Sequence, residues 1–368
     1  MKRIVTIFGT RPEAIKLAPV ILELDKNKKR VENLVCVTAQ HREMLDQVLE
    51  WFRIEPHYDL NLMQPDQGLA AFASQSLMGL SKMLQEVHPD VVLVQGDTTT
   101  AMMAALAAFY QRIPVGHVEA GLRTQNRYNP FPEEINRRMA SILTTYHFAP
   151  TERAAAALST EQVPEEYIFV TGNTVVDALL MTVNRPVNLE LDFSLEGRRL
   201  VLVTAHRRES FGAPFEMLCL ALRDLVERNT YVEIVYPVHL NPNVREPVER
   251  ILAGQSRIHL LEPLRYEQFV HLMKNAYLIL TDSGGIQEEA PVLGKPTLVM
   301  RETTERPEAV EAGTARMVGT DRHRIVTETE RLIHSEDEYQ KMAEVGSPFG
   351  DGHAAERIVD IIFTRLEI

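Results

Sequence analysis

Short apolar runs alternate with longer amphipathic segments along almost the whole chain, and no other feature limits the fold so strongly. Runs at 4–8, 34–38, 91–95, 115–118, 146–148 and 168–170 are separated by stretches of helical period such as 12–26, 44–51, 69–87 and 98–112. A second series of runs follows at 200–204, 232–236, 258–261, 278–281 and 297–300, with 215–228 the clearest helical stretch among them. Strands that are apolar throughout, each followed by a helix, form parallel sheets covered on both faces. The expected class is therefore α/β with doubly wound sheets. At 368 residues the chain exceeds one ordinary core, so two domains are expected. The first is placed at residues 1–172 and the second at 173–352, with a final helix at about 353–368 packing back on the first. The least patterned stretch, 181–198, reads as the hinge region between the two halves.

Charge narrows the function. A formal net charge of −12 argues against general binding of nucleic acid or acidic membrane, both of which need basic surfaces. An anionic ligand would have to be held by a local pocket of N–H groups, Arg, Lys or His. Between Lys2-Arg3 and Gly9 lie only a few apolar residues, too few for a secretory h-region, so this start reads as a first strand. No stretch approaches the roughly 18 apolar residues of a membrane span. Cys36 and Cys219 fall in strand and helix patterns and read as buried thiols in a reducing compartment. A cytoplasmic enzyme is expected.

In doubly wound sheets, ligands bind at loops leaving the carboxyl ends of strands. After the first run comes "GTRPEAIK", in which Pro12 suits a first helical turn. Arg11 and Lys16 either meet a phosphate at that turn or are solvated charges at a helix start. The loop is neither a Walker A motif nor G-x-G-x-x-G, and no dinucleotide fingerprint occurs elsewhere, so no NAD is expected. "QGDTTT" places Asp97 directly at a strand end, as a helix cap or as a functional acid. "GHVEAGLRT" puts His117 and Glu119 on one face of a strand if the chain stays extended, with Glu119 at the strand's end. In "NRYNPFPEEINRR", Glu133 and Glu134 open a helix, where acids are ordinarily dipole-favoured. Carboxylates at three separate strand-end loops are less ordinary. In the second half, "VTAHRRESFG" sets His206, Arg207 and Arg208 after a strand, and "YPVHLNPNVR" does the same with His239. His117 with Glu119 is the nearest approach to a metal-ligand spacing, and no metal is expected.

The stretch "TDSGGIQEEAPVLGKPTLVMRETTERPE" joins an apolar run to a glycine-rich turn and a helix. Ser283, Gly284 and Gly285 there can hold a diphosphate by hydroxyl and N–H. Glu289, one helical turn on, can accept hydrogen bonds from ribose hydroxyls. Phosphates on the turn and a diol on the carboxylate describe a nucleoside diphosphate. A capped helix followed by solvated acids explains each residue singly, but not the Gly pair and Arg306 together.

Taken in order, "FGTRPEAIK", "VTAQHREMLDQVL", "GDTTT", "GHVEAGLRT", "PFPEEINRR", "VTAHRRES", "YPVHLNPNVR", "LTDSGGIQEEAP" and "TTERPEAVEAGT" closely resemble the non-hydrolysing UDP-N-acetylglucosamine 2-epimerase family. The resemblance covers almost the whole chain. It departs at Gln95, where the family usually has His, and at Leu264, where Gln is more familiar; neither departure is expected to touch the carboxylates. The resemblance implies two Rossmann-like domains facing a cleft, as in the glycosyltransferase-B architecture, and no cofactor. It also implies interconversion of UDP-GlcNAc and UDP-ManNAc by a homodimer, supplying surface polysaccharide. Carried over residue by residue, uracil and ribose contacts fall at Leu264, Phe269 and Glu289. Diphosphate contacts fall at Arg11, His206, Ser283, Gly284, Gly285 and Arg306. Lys16, Asp97, Glu119 and Glu133 match positions around the sugar, and with His206 form the candidate catalytic set. Gln40, Arg207 and His239 match positions for a second, activating UDP-GlcNAc, although Arg207 can equally extend the phosphate clamp. A hydrolysing epimerase, a UDP-sugar glycosyltransferase and a silent UDP-sugar-binding regulator remain as alternatives.

Overall fold

The computed structural model describes residues 1–39, 42–63, 67–189, 191, 193 and 197–368. They divide into two compact units, Met1–Leu180 with Phe349–Ile368, and Met181–Pro348.

Among the described residues, the first unit holds a parallel seven-stranded sheet. Its strands are β1 (Lys2–Phe8), β2 (Val31–Val37), β3 (Tyr58–Asp59), β4 (Val91–Gln95), β5 (Val115–Val118), β6 (Tyr146–Ala149) and β7 (Ile168–Val170), in the order β3-β2-β1-β4-β5-β6-β7. The second unit holds a parallel six-stranded sheet of β8 (Arg199–Thr204), β9 (Val232–Pro237), β10 (Ile258–Leu261), β11 (Leu278–Thr281), β12 (Thr297–Val299) and β13 (Ala315–Met317), ordered β10-β9-β8-β11-β12-β13. In each sheet the chain winds one way and then returns to wind the other. The loops leaving β1 and β4 part at one switch point, and those leaving β8 and β11 at the other.

Burial explains why the central strands lack polar alternation. Val5, Ile7, Val92, Val94 and Val115 pack with Leu80, Leu84 and Ala104 from helices on the first sheet. Val201, Ile234, Tyr236 and Leu280 pack with Phe215, Leu222 and Val326 on the second. Each Val, Leu, Ile or Phe among them contributes about 1.5–3 kcal/mol by leaving water. Cys36 and Cys219 are free thiols in these two cores. Burial pushes each thiol up to about 12. No helix among the described residues is long and apolar enough to cross a membrane.

The change of unit falls between Leu180 and Met181, later than the expected 172/173. Residues 173–180 are tied to the C-terminal return of the chain. The Asn173 N–H donates to the Phe349 carbonyl at 2.7 Å, and Asp177 accepts from the Ala355 N–H at 2.8 Å. Gly352 packs so closely on Leu180 that a Cβ there would lie 2.5 Å from its Cδ1. The helix Ala354–Arg365 belongs to the first unit.

Candidate active site

At the β1/β4 switch point the chain satisfies its own first turn. Glu13, on the first turn of the helix Arg11–Asp25, folds back to accept from the Gly9 N–H at 3.0 Å and the Thr10 N–H at 2.8 Å. It also accepts from the Thr98 hydroxyl at 2.6 Å, linking the β1 and β4 turns. Burial raises the Glu13 carboxyl, against the pull of these hydrogen bonds. Gly9 is required by closeness: a Cβ there would lie 2.2 Å from Thr38 Oγ1. The anion site anticipated at this turn is therefore not built from these two N–H groups. Arg11 opens the helix, and Lys16, further along it, reaches across to Glu119.

Glu119 is the centre of the first unit's site. It follows β5 with a backbone φ of 64°, a left-handed conformation that costs a non-glycine residue roughly 1–3 kcal/mol. Its buried carboxylate takes Lys16 Nζ and, at 3.1 Å, Asn173 Nδ2 on Oε1, and Gln95 Nε2 on Oε2. Gln95 thus touches a carboxylate, contrary to the sequence expectation. It is the last residue of β4, opposite Val118 in register, which brings its side chain beside the residue following β5.

Asp97 lies on the neighbouring turn, beyond Gly96 at φ 70°. Arg137 holds its carboxylate, and Asn136 donates to its carbonyl at 2.9 Å. His117, buried in β5, meets the Gly96 carbonyl at 2.7 Å through Nε2. That acceptor requires the ring proton on Nε2. Burial lowers the imidazole to about 4, so it is neutral at pH 7 and props the turn that carries Asp97. Among the described residues no group of His, Cys, Asp and Glu has the arrangement of a metal site. Glu133 and Glu134 open the helix Glu133–Leu143. Glu134 faces inward and accepts from the Thr124 N–H at 3.0 Å and Arg138 at 3.0 Å. Burial pushes its carboxyl up, but Thr124, Arg138 and Arg137 outweigh it and hold it below the usual range. Glu133 is half-buried beside it. The structure thus gathers Lys16, Asp97 and Glu119, with Glu133 on the helix that supplies Asn136 and Arg137.

In the second unit, Asp282 after β11 organises the loop after β8. Its buried carboxylate accepts from the backbone N–H groups of His206 at 2.6 Å and Arg207 at 2.7 Å. Tyr236, buried in β9, donates its hydroxyl to the Ala205 carbonyl at 2.6 Å and fixes the preceding residue. The His206 ring stacks on that of His239, centroids 5.3 Å apart. Ser283, Gly284 and Gly285 begin the helix Gly284–Glu289 beside Arg207. Neither glycine has a positive φ, and a Cβ on either would meet nothing nearer than 3.8 Å. Neither backbone strain nor packing within the chain therefore demands glycine here.

Of the arginines anticipated for phosphate, Arg306 is engaged with an acid, and Arg301 nearby is engaged with two. Arg306 pairs with buried Glu288, and Arg301 bridges Glu209 at 2.6 Å and Glu305 at 2.8 Å. Burial raises Glu305, but Arg301, with Arg207 and Arg306 nearby, holds it down at about 2. Glu289 is buried at the end of the short helix, whereas Leu264 and Phe269 are half-buried at and near the helix Tyr266–Asn275. His239 is exposed, and Gln40 lies outside the described residues. Sequence reasoning missed Glu13, Arg137, Asn173 and Asp282. Only Asp282 carried a signal, as an acid directly at a strand end before the glycine turn.

The model of the family described as UDP-N-acetylglucosamine 2-epimerase matches residues 23–363. The UDP-N-acetylglucosamine 2-epimerase of Salmonella typhimurium is 56% identical over 98% of both chains. Among solved structures, the UDP-GlcNAc 2-epimerase of Neisseria meningitidis bound to UDP-GlcNAc is 48% identical, with a TM-score of 0.92 over 98% of this chain and 100% of that one. The S. aureus MnaA–UDP co-structure is likewise 48% identical, with a TM-score of 0.92 over 100% of this chain and 97% of that one. These similarities extend over both Rossmann-like units and carry the glycosyltransferase-B-like fold class with them. The chain belongs to the UDP-N-acetylglucosamine 2-epimerase family and is an enzyme of the isomerase class.

Proposed function

We propose that the protein interconverts UDP-GlcNAc and UDP-ManNAc reversibly at carbon 2, without a redox cofactor, by eliminating and re-adding UDP. The observation that carries this reading is the pair of acids at the ends of the neighbouring strands β4 and β5, Asp97 and Glu119, each with its own cation, Arg137 and Lys16. Binding a UDP dianion gains nothing from acids nearby, so a silent binding protein has no use for them. Ligands of the relatives support the rest: the Neisseria structure holds UDP-GlcNAc and the S. aureus structure holds UDP.

The chemistry dictates the order of events. The proton on carbon 2 is poorly acidic, and an acetamido substituent there forbids a keto intermediate. Breaking the bond from carbon 1 to the UDP oxygen first leaves positive charge on carbon 1, and the electron pair leaves with UDP. Ser283, Gly284 and Gly285 stabilise the departing diphosphate, with His206 and Arg306 of the same unit completing the clamp. Arg306 then exchanges part of its pairing with Glu288 for phosphate. Glu289 takes the ribose hydroxyls, and Leu264 and Phe269 flank the uracil. One of Asp97, Glu119 and Glu133 removes the carbon 2 proton to give the 1,2-unsaturated sugar. An acid on the other face returns a proton as UDP re-adds.

Exposed Met78, Phe109, Tyr110, Met139 and Ile142, on adjacent helices of the first unit, support a homodimer. Light scattering of Ile142→Glu tests it. The two buried cysteines, which do not pair with each other, support a cytoplasmic setting. Arg207 and His239, with Gln40, are assigned to a second, activating UDP-GlcNAc. A full initial rate from pure UDP-ManNAc, unaffected by added UDP-GlcNAc, would refute that assignment.

The deciding experiment incubates the protein with UDP-GlcNAc alone and follows the sugar by proton NMR. The proposal expects a mixture with UDP-ManNAc. Free ManNAc would establish a hydrolysing epimerase instead, and inertness without an acceptor a glycosyltransferase.

A further inference from the structure

We propose that Gln95 and Asn173 are positioning residues that grip the Glu119 carboxylate from two sides, keeping it ionised and aimed. The assignment rests on the reading above that Glu119 exchanges a proton with the sugar.

The geometry supports it at each end. Gln95 is 3% exposed and donates to Oε2, while Asn173 is 2% exposed and donates to Oε1 at 3.1 Å. The orientation of the Asn173 amide is settled by its other contacts. Its Oδ1 accepts from the Val175 N–H at 3.1 Å, which leaves Nδ2 for Glu119, and its own N–H is held by Phe349. Gln95 is held by β4 pairing, and the next residue's N–H donates to the Val118 carbonyl at 3.0 Å.

The need for such a grip follows from the backbone. Glu119 sits in an isolated left-handed turn, so neither helix nor strand geometry directs its side chain. Lys16 supplies charge but is a flexible point donor. Amides supply direction, and by bonding the charged form they oppose the rise in pKa that burial brings. The titratable groups facing Glu119 include Lys16 from the helix Arg11–Asp25 and His117 from its own strand, which Asp97 on the β4 turn also faces.

Two variants remove the grip while keeping shape. Gln95→Met deletes the donor. Asn173→Asp keeps the oxygen that accepts from Val175 but sets an acid against Glu119. The Glu119 side-chain carboxyl is followed by carbon-13 NMR in glutamate-labelled protein, assigned with Glu119→Gln. In parallel, kcat and KM for UDP-GlcNAc are measured against pH. The expected result is a titration midpoint raised by roughly one to two pH units in each variant. The acid limb of the kcat profile should follow it, with KM changed less than about two-fold, and Gln95→His, which retains an N–H donor, should return both toward the parent. An unmoved midpoint in the folded variants overturns the proposal. A midpoint that moves without the kcat limb upholds the grip and overturns the proton-transfer reading of Glu119. Should one variant not fold, the other carries the same test.

Discussion

Gly284→Ala separates folding from ligand binding. The backbone at Gly284 does not lie in the left-handed region, so alanine is not strained there. Its Cβ would lie 3.8 Å from Arg207 Nη2 and 3.9 Å from Glu305 Oε2, both ordinary contacts. Replacing glycine by alanine at the start of a helix costs nothing and stabilises by up to about 1 kcal/mol. The Tm should therefore hold or rise slightly. The methyl group does, however, cover the bare backbone that the account assigns to diphosphate. Losing one charge-assisted hydrogen bond from N–H to phosphate costs about 1.5–3 kcal/mol. That corresponds to a rise in the UDP Kd of roughly 10- to 150-fold. Calorimetric titration with UDP, beside thermal unfolding, reads both quantities. Gly68→Ala, where a Cβ would meet nothing within 4 Å, controls for the substitution itself. UDP affinity within about two-fold of the parent would refute the reasoning, because it would leave the glycine pair with no task.

Other predictions concern the acids and the thiols. Asp97→Asn, Glu119→Gln and Glu133→Gln, each folded, should slow turnover by roughly 10²–10⁴-fold if the residue transfers a proton; near-normal rates in all three would end the assignment. Burial raises the Asp177 carboxyl from an ordinary 3.8 to about 6. A carboxyl raised on folding stabilises below pH 4 and loses that contribution as pH climbs through 6, so Asp177→Asn should match the parent at pH 4. At pH 8 it should exceed it by up to about 3 kcal/mol in urea unfolding. A difference independent of pH would contradict this. Cys36 and Cys219, buried with thiols near 12, should resist a disulfide-exchange reagent in the native protein and both react on unfolding.

Much of the fold was legible because burial on both faces writes itself as continuous apolar runs. Two short strands at sheet edges, β3 (Tyr58–Asp59) and β13 (Ala315–Met317), carry no such run, unlike the edge strand β7. An edge strand is not covered on both sides, so Asp59 and Arg316 interrupt the signal. That residues 174–180 of the helix Thr174–Val183 group with the first unit is not legible in sequence, because their anchor, Asp177 on the Ala355 N–H, is 178 residues away. The candidate site divides in the same way. Asp97 and Glu119 could be found because each is an acid directly at the end of an apolar run, and Lys16 because it lies on the helix that follows the first such run. Glu13 could not, since an acid in a first helical turn looks like an ordinary dipole partner, and only the fold shows it filling the β1 turn. Gln95 and Asn173 are neutral amides whose meaning exists only once β4, β5 and the start of the helix Thr174–Val183 converge on Glu119.

The central claim is that carbon 2 loses its hydrogen and regains one from a protein acid in exchange with water. The direct measurement is turnover of UDP-GlcNAc in deuterated water, with the product sugar read by proton NMR and mass. The account predicts UDP-ManNAc carrying deuterium at carbon 2, and deuterium entering the recovered UDP-GlcNAc as equilibrium is approached. UDP-ManNAc that retains the original hydrogen at carbon 2 would contradict it.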